Sequence, residues 1–409
     1  MSLTLLLNNS FTRLNIFLIS ILPIGLLVGS LVSNLILILI SIFFIIDLII
    51  KKDWSYLNEI NFYFLIFINI YLILNSFLIS ENENSIVKSF GFIRFILLAY
   101  AISYYFKNFH KIIIKIWFIF FLIVCVDLVF EFLVGKNIYG YESLYPSRLV
   151  GFTSTEHKIG GFYFGFIFLA LSFLIDKKNY IFYLFSITFF IIAILIGERS
   201  NFIKIFLMYL IFFIFFINIS LFKKTLIISI LFIFSFFVIS QIPGLKSKFV
   251  NHIYNDKIES FLIGDNKTTF IDVVDSNRHF SHYYVAIEIF KNNKIFGSGF
   301  KSFRIESYKE KYQTEIFGAS THPHQFHFEL LSELGIVGYL LILSNLFFVI
   351  YRKIKFKQSN ILSKCGLIFI IVSMIPILPS GSFFTSYGAT IFFINYSFLI
   401  RPKFVNKIV

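Results

Sequence analysis

Apolar runs of about 18 to 25 residues recur along the chain, separated by short polar links. At about 1.5 Å per helical residue, each run is long enough to cross a hydrocarbon core of roughly 30 Å. The pattern predicts spans near residues 13–30, 32–50, 60–79, 85–106, 112–133, 158–175, 179–197, 201–219, 224–241, 326–350, 361–378 and 382–400. The expected fold is an all-α polytopic membrane protein of about twelve transmembrane helices. The N-terminus has no basic n-region and no A-x-A-like site, so no cleavable signal peptide is expected.

One stretch departs from this rhythm. Residues 242–325 are predominantly polar and far longer than an ordinary connection, and they separate the ninth span from the tenth. The chain therefore divides into residues 1–241 (spans one to nine), the long loop 242–325, and residues 326–409 (spans ten to twelve and a tail). Within the loop an amphipathic run from Phe280 to Lys291 places Tyr283, Ala286, Ile287 and Phe290 at helical spacing. A Gly297-Ser298-Gly299 turn follows.

Composition narrows the class. Of 409 residues 58% are hydrophobic and 14% charged, with a mean hydropathy of +0.84. A soluble domain carries about 25% charged residues, and a soluble chain of this length has no means of covering so much apolar side chain. Soluble enzyme, disordered chain, nucleic-acid module and disulfide scaffold are excluded. The 60 phenylalanines accompany abundant Ile, Asn and Lys, as AT-rich coding produces, and carry no functional weight. Cys125 and Cys365 form neither a disulfide framework nor a metal-ligand spacing.

The net charge of +14 has an explanation in topology. Alternate links hold Lys51 and Lys52; Lys107, Lys111 and Lys115; Lys177 and Lys178; Lys223 and Lys224; and Arg352, Lys353, Lys355 and Lys357. The tail adds Arg401, Lys403 and Lys407, whereas the short links on the other side hold only Lys136, Arg148 and Arg199. By the positive-inside rule both termini are cytoplasmic and the long loop lies outside. Nucleic acid is not expected as a partner.

Arginines on the outer rim then stand out. Arg148 lies in the 134–156 link with Glu156 close behind, Glu198 and Arg199 fill a very short link, and Arg278 lies in the long loop. Arg199 either pairs with Glu198 or caps a helix, or it belongs to an anion site, since guanidinium forks bind phosphate bidentately. His322, His324 and His327 lead into the tenth span. Their readings are metal ligands, backbone-bonded loop residues, or a general base. Pro323 and the lack of a nearby Cys or Asp count against a metal. Glu329 and Glu333 lie one turn apart where a helix N-terminal half favours negative charge, and Gly335 and Gly338 suit close helix approach. Arg94 is an internal ion-pair member or a substrate contact; Asp127 and Glu131 line a cavity or pair with an arginine.

The run from Thr321 to Gly338, with His322-Pro323-His324-Gln325 followed by Glu333-Leu334-Gly335-Ile336-Val337-Gly338, resembles the signature of the O-antigen ligase and polymerase superfamily. That signature reads roughly H-P-H-N, an apolar stretch, then E-x-G-x-x-G. Three further blocks are similar to the family's in the same order: Arg148-x-x-Gly151-Phe152 with Glu156 and Gly160; Gly197-Glu198-Arg199-Ser200; and Asn277-Arg278 with Ala286 to Phe290 and Ile295 to Phe300. The family's usual Asn is Gln325 here, which keeps the amide on a longer arm.

The resemblance implies a membrane glycosyltransferase of the GT-C type. Such an enzyme moves a glycan from an undecaprenyl-diphosphate donor to an acceptor hydroxyl on the periplasmic face of the bacterial inner membrane. It implies roles for Arg199 and Arg278 in stabilising the departing diphosphate, for His324 as the base or positioner of the attacking hydroxyl, and for Arg148 and Glu156 in holding diphosphate or sugar. It implies inversion at the anomeric centre, with no metal and no cofactor. Partners are the lipid-linked donor, membrane lipids, and an acceptor: lipid A core for a ligase, a second lipid-linked glycan for a polymerase, or a protein Ser or Thr for a third kind of relative. A transporter of lipid-linked sugar is the rival outside this class. Transporters tend toward broken helices and midplane charges, whereas the notable charges here gather at one rim. A purely structural subunit has no need of the long loop.

Overall fold

The computed structural model describes residues 10–400 except 146, 157, 176–178, 218–219, 248, 250–277, 313–318 and 356–359, and excludes the side chains of 154–156 and 179. Lys177 and Lys178, much of the long loop including Asn277, Lys357 and the basic tail of Arg401, Lys403 and Lys407 lie outside the described residues.

Regular structure among the described residues is helical throughout. The main helices are α1 Ser10–Val28, α2 Ser30–Lys51, α3 Ile60–Leu78, α4 Ser85–Phe90, α5 Ile93–Val134, α6 Ile159–Ser172, α7 Asn179–Leu195, α8 Arg199–Phe216, α9 Leu221–Gln241, α10 Arg278–Asn292, α11 Phe326–Lys355, α12 Ile361–Ser373 and α13 Ser386–Ile400. Seven segments are long and apolar enough to cross a membrane by length and composition, and four shorter apolar helices accompany them. The chain is a polytopic membrane protein.

Left-handed residues end the helices where the apolar runs end. Gly29, at φ 143°, separates α1 from α2, and Lys52, at φ 53°, returns its N–H to Ile49 and Leu48. Several polar side chains inside the bundle bond one another, which lowers the cost of burying them in hydrocarbon. Asn345 Nδ2 donates to Asn61 Oδ1 (2.9 Å), and the Tyr396 hydroxyl bonds both asparagines, joining α3, α11 and α13. Asp47 accepts from Thr12, Lys51 and Tyr105, joining α1, α2 and α5 at one end of the bundle.

The fourth and fifth predicted spans differ from expectation. In place of two helices with a basic link there is one run of helical hydrogen bonding, α5, preceded by the short α4. Its 42 residues would reach about 63 Å if straight. They do not run straight. The Phe106 ring lies 5.3 Å from that of Trp117, eleven residues later. Arg94 bonds Ser386 at the start of α13, and Glu131 bonds the backbone of residues 150 and 151; Gly151 packs on Ile159, and Lys158 bonds Tyr387. Both ends of α5 thus reach one end of the bundle, while Tyr105 meets Asp47 at the other. Residues 107–112 contain no Gly or Pro to stop the helix, so helical bonding continues through the bend. With its two limbs taken separately, each predicted span has a helical counterpart among the described residues.

Helix α11 is broken where close packing was expected. Gly335 has φ 63° and ψ −169°, a conformation open to glycine alone. Residues 294–299 fill the break: Ile336 N–H donates to Lys294 O (2.9 Å), Val337 N–H to Ile295 O (3.2 Å), and Gly299 N–H to Glu333 O (2.9 Å). Gly338, by contrast, does face a close neighbour, Tyr71 of α3. A Cβ at Gly335 would collide with the backbone of Ile295 and Gly297. Gly335→Ala is therefore expected to cost at least about 1–3 kcal/mol and to lower the thermal transition in detergent. Gly381→Ala, whose Cβ would enter open space, leaves that transition unchanged.

Candidate active site

The rim that gathers the ends of α5 is built by anchored loops. Glu131 accepts from the N–H groups of Val150 (2.9 Å) and Gly151 (2.7 Å), and Asp127 accepts from Ile138 (2.9 Å). These two carboxylates hold the link that carries Arg148; neither pairs with an arginine among the described residues. Leu149 N–H donates to Ile196 O (3.1 Å), and Gly197, at φ 73°, packs against the Ser147 carbonyl. The 147–149 segment is thereby locked against the 197–199 turn.

That contact decides the partner of Glu198. Its carboxylate takes the Arg148 guanidinium and the Asn201 amide, not the adjacent Arg199. Arg199 begins α8 and makes no ion pair among the described residues. Arg278 begins α10 and is exposed. Burial, and after it the charges of Arg199 and Arg278, disfavour protonation of the His279 imidazole. Glu156 closes a 3-10 turn, Gly151–Glu156; its side chain lies outside the described ones.

His324 stands at the centre of four imidazoles. It occupies a left-handed position at φ 56°, fixed by Ser380 N–H donating to its carbonyl (2.7 Å). Ring centroids of His322, His282 and His279 lie 4.0, 5.3 and 5.5 Å from its own. Arg278 directly precedes His279, whose ring packs on that of His324, so the start of α10 lies at the edge of the cluster. Arg148 is tied to the same rim through Glu198. Among the described residues no three His, Cys, Asp or Glu side chains are arranged to hold a metal ion.

Burial, reinforced by neighbouring cations and imidazoles, keeps the cluster neutral. His282 and His322 are pushed down from 6.5 to about 4 and His324 to about 2. An unfolded chain takes up protons as pH falls through about 6.5, while the folded cluster does not until far lower pH. The stability present above pH 6.5 is thus progressively lost toward pH 4. The thermal transition at pH 5 is expected to lie several degrees below that at pH 7.5, and the drop is smaller in His322→Gln.

His327 plays no part in the cluster. Its ring lies between the Tyr339 hydroxyl (3.1 Å) and the Met374 carbonyl (2.7 Å), a packing role. Gln325 is buried, and its side-chain oxygen accepts from Phe328 N–H (3.0 Å), capping α11. The longer amide thus closes the helix that His324 precedes. Glu329 and Glu333 are buried acceptors more than dipole partners. Glu329 holds Ser382 and the N–H of Phe383, and Glu333 holds the N–H groups of Lys301 and Phe303, with the buried Lys301 ammonium beside them on Ser382. Arg94 bonds Gly91 O, Asn34 and Ser386 and makes no ion pair among the described residues.

Sequence reasoning missed His279 and His282. The buried stripe of α10 runs through Ser281, His282, Val285, Ala286 and Ile289, while the expected Ile287 is exposed. The signal was present as two histidines three apart directly after Arg278. Lys204 was missed as well: it is buried one turn into α8 and donates to Pro379 O (2.7 Å), tying that helix to the loop that fixes His324.

Residues 184–343 match the family model described as O-antigen ligase. Over that stretch the chain is similar to the O-antigen ligase family. The match supports membership of the O-antigen ligase superfamily and a ligase- or polymerase-type function in lipopolysaccharide biosynthesis. It takes in Arg199, Arg278 and the histidine run through Gly338, while Arg148 and Glu156 precede it. No curated protein matches the chain.

Proposed function

We propose that this protein is an O-antigen ligase that transfers a glycan from undecaprenyl diphosphate to a hydroxyl of lipid A core. The reaction takes place on the periplasmic face of the inner membrane, with both termini in the cytoplasm. The observation that carries the reading is the packing of His324 among the rings of His279, His282 and His322, with Arg278 at the start of the helix that supplies two of them. In the reaction the acceptor oxygen attacks the anomeric carbon and the carbon–oxygen bond to the diphosphate breaks, inverting that centre. The bonding pair stays on the diphosphate, where Arg199 and Arg278 meet the growing charge. The hydroxyl proton passes to the His324 ring. Arg148 and Glu156 are assigned to holding the diphosphate or the sugar, and no metal is required.

The break in α11 is a feature shared with transporters, whose broken helices present free backbone groups to cargo. Here those groups are taken up by residues 294–299, which favours the enzyme.

Purified protein in nanodiscs, given undecaprenyl-diphosphate oligosaccharide with and without lipid A core, tests the acceptor on a gel. A glycan-bearing lipid A band that appears only with the core is the expected result. A ladder formed without core would assign the chain to polymerases instead.

A further inference from the structure

On the side that the charge pattern assigns to the cytoplasm, two open cavities flank one ridge of α5. Ile112 and Ile116, in the second limb of that helix, line both of them. The first cavity, about 390 Å³, has α1 as its other wall. The second, about 710 Å³, is closed by Phe173, which directly follows α6. Their linings are apolar except for Ser20 and three exposed cations, Arg13 in the first and Lys111 and Lys115 in the second. No Asp or Glu lines either cavity, and the two lysines make no ion pair among the described residues.

The cations gather at one level of the bundle. Thr12 of α1 and Tyr105 of α5 meet at Asp47, and beyond the bend Trp117 Nε1 donates to Ile19 O (3.0 Å). Helix α1 and the second limb of α5 therefore rise side by side from the same end. Arg13 and Lys111 each precede the Trp117–Ile19 bond by six residues, so they stand at matching height. Lys115 begins one turn further in, and its stem is long enough to carry the ammonium back to the interface. The positive-inside rule accounts for lysines at this end, but not for paired apolar cavities beside them. Basic pockets between membrane helices on this side suit anionic headgroups, and apolar walls suit acyl chains.

We propose that this face binds one diacyl anionic phospholipid of the inner leaflet. Its two chains lie in the two cavities, astride Ile112 and Ile116, and its phosphate is held by Arg13, Lys111 and Lys115. The site lies at the end of the bundle opposite the histidine cluster and does not depend on the transfer reaction. A lipid seated there bridges α1, α5 and α6, so it stabilises the folded bundle by mass action.

The probe is dioleoyl phosphatidylglycerol, compared with dioleoyl phosphatidylcholine, which has the same chains and no net charge. Each is titrated into purified protein in detergent, and bound copies are counted by native mass spectrometry. One copy of phosphatidylglycerol is expected to bind at least about tenfold more tightly than phosphatidylcholine and to raise the thermal transition. Replacing both lysines, Lys111→Gln with Lys115→Gln, weakens that binding about 10- to 30-fold. Lys223→Gln with Lys224→Gln removes the same charge from another link on that side and leaves it unchanged. Ile116→Trp fills the cavities while keeping the cations, and it also weakens binding. If that variant has a lowered transition in phosphatidylcholine, Ile116→Phe makes the same test. Equal affinity for the two lipids would overturn the proposal. Equal losses in the two lysine pairs would do so as well, since they would mark a general attraction to surface charge, and so would unchanged binding in the Ile116 variants.

Discussion

Arg278→Ala and Arg199→Ala are each expected to lower kcat by about 10²- to 10³-fold, the loss seen when one fixed donor to a developing anion is removed. In the proposed reaction the diphosphate gains negative charge as its bond to the sugar breaks, so an arginine that meets it would stabilise the transition state more than the bound donor. KM therefore rises less than kcat falls. Arg199 sits where α8 begins, its neighbour Glu198 already taken by Arg148 and Asn201, so its guanidinium is not neutralised within its own turn. Lysine at either position restores charge without the bidentate fork and returns only part of the rate. Because the two arginines act on one leaving group, the double variant loses less than the product of the single losses. Steady-state transfer rates over a range of donor concentrations read all of this.

His324→Ala is expected to reduce kcat by about 10²- to 10⁴-fold with the fold intact, the usual scale for a positioned general base. In the resting site its ring is neutral and therefore open to a proton, though a weak base. A bound diphosphate dianion offsets the repulsion from Arg278 and the neighbouring imidazoles and raises its basicity when the donor is in place. His327→Ala is the control. That residue bonds Tyr339 and Met374, so its loss lowers the thermal transition while leaving the transfer rate of folded protein largely unchanged. The two variants separate a group that acts from one that packs, three residues apart in one motif.

Much of the architecture was legible in the sequence because hydrocarbon imposes a length scale. Runs such as Ser30–Lys51 have few alternatives to an apolar helix. The α5 bend was less legible, since Lys107, Lys111 and Lys115 mark a turn by charge without any residue that breaks helical bonding. Gly335 shows the opposite failure. A Gly three residues before another suggests helix approach, and only the pairing with 294–299 reveals a break, because that partner lies some forty residues upstream. Of the proposed site, Arg148, Arg199 and Arg278 stood out by residue type against the charge pattern of the links, and His324 was singled out by the family resemblance. The Arg148–Glu198 pair was not, since partners fifty residues apart leave no local pattern. His282 was passed over for a related reason: a histidine on an amphipathic helix reads as surface until the packing shows it buried against His324.

Cleavage of the donor separates a glycosyltransferase from a transporter of lipid-linked glycan. With purified protein in nanodiscs and EDTA present, undecaprenyl diphosphate released and glycan joined to acceptor are counted in the same sample. One carrier released per glycan transferred, dependent on acceptor and abolished in Arg278→Ala, is the predicted result. Donor that stays intact in the presence of acceptor, yet crosses the bilayer of liposomes containing the protein, would contradict it and make the chain a transporter.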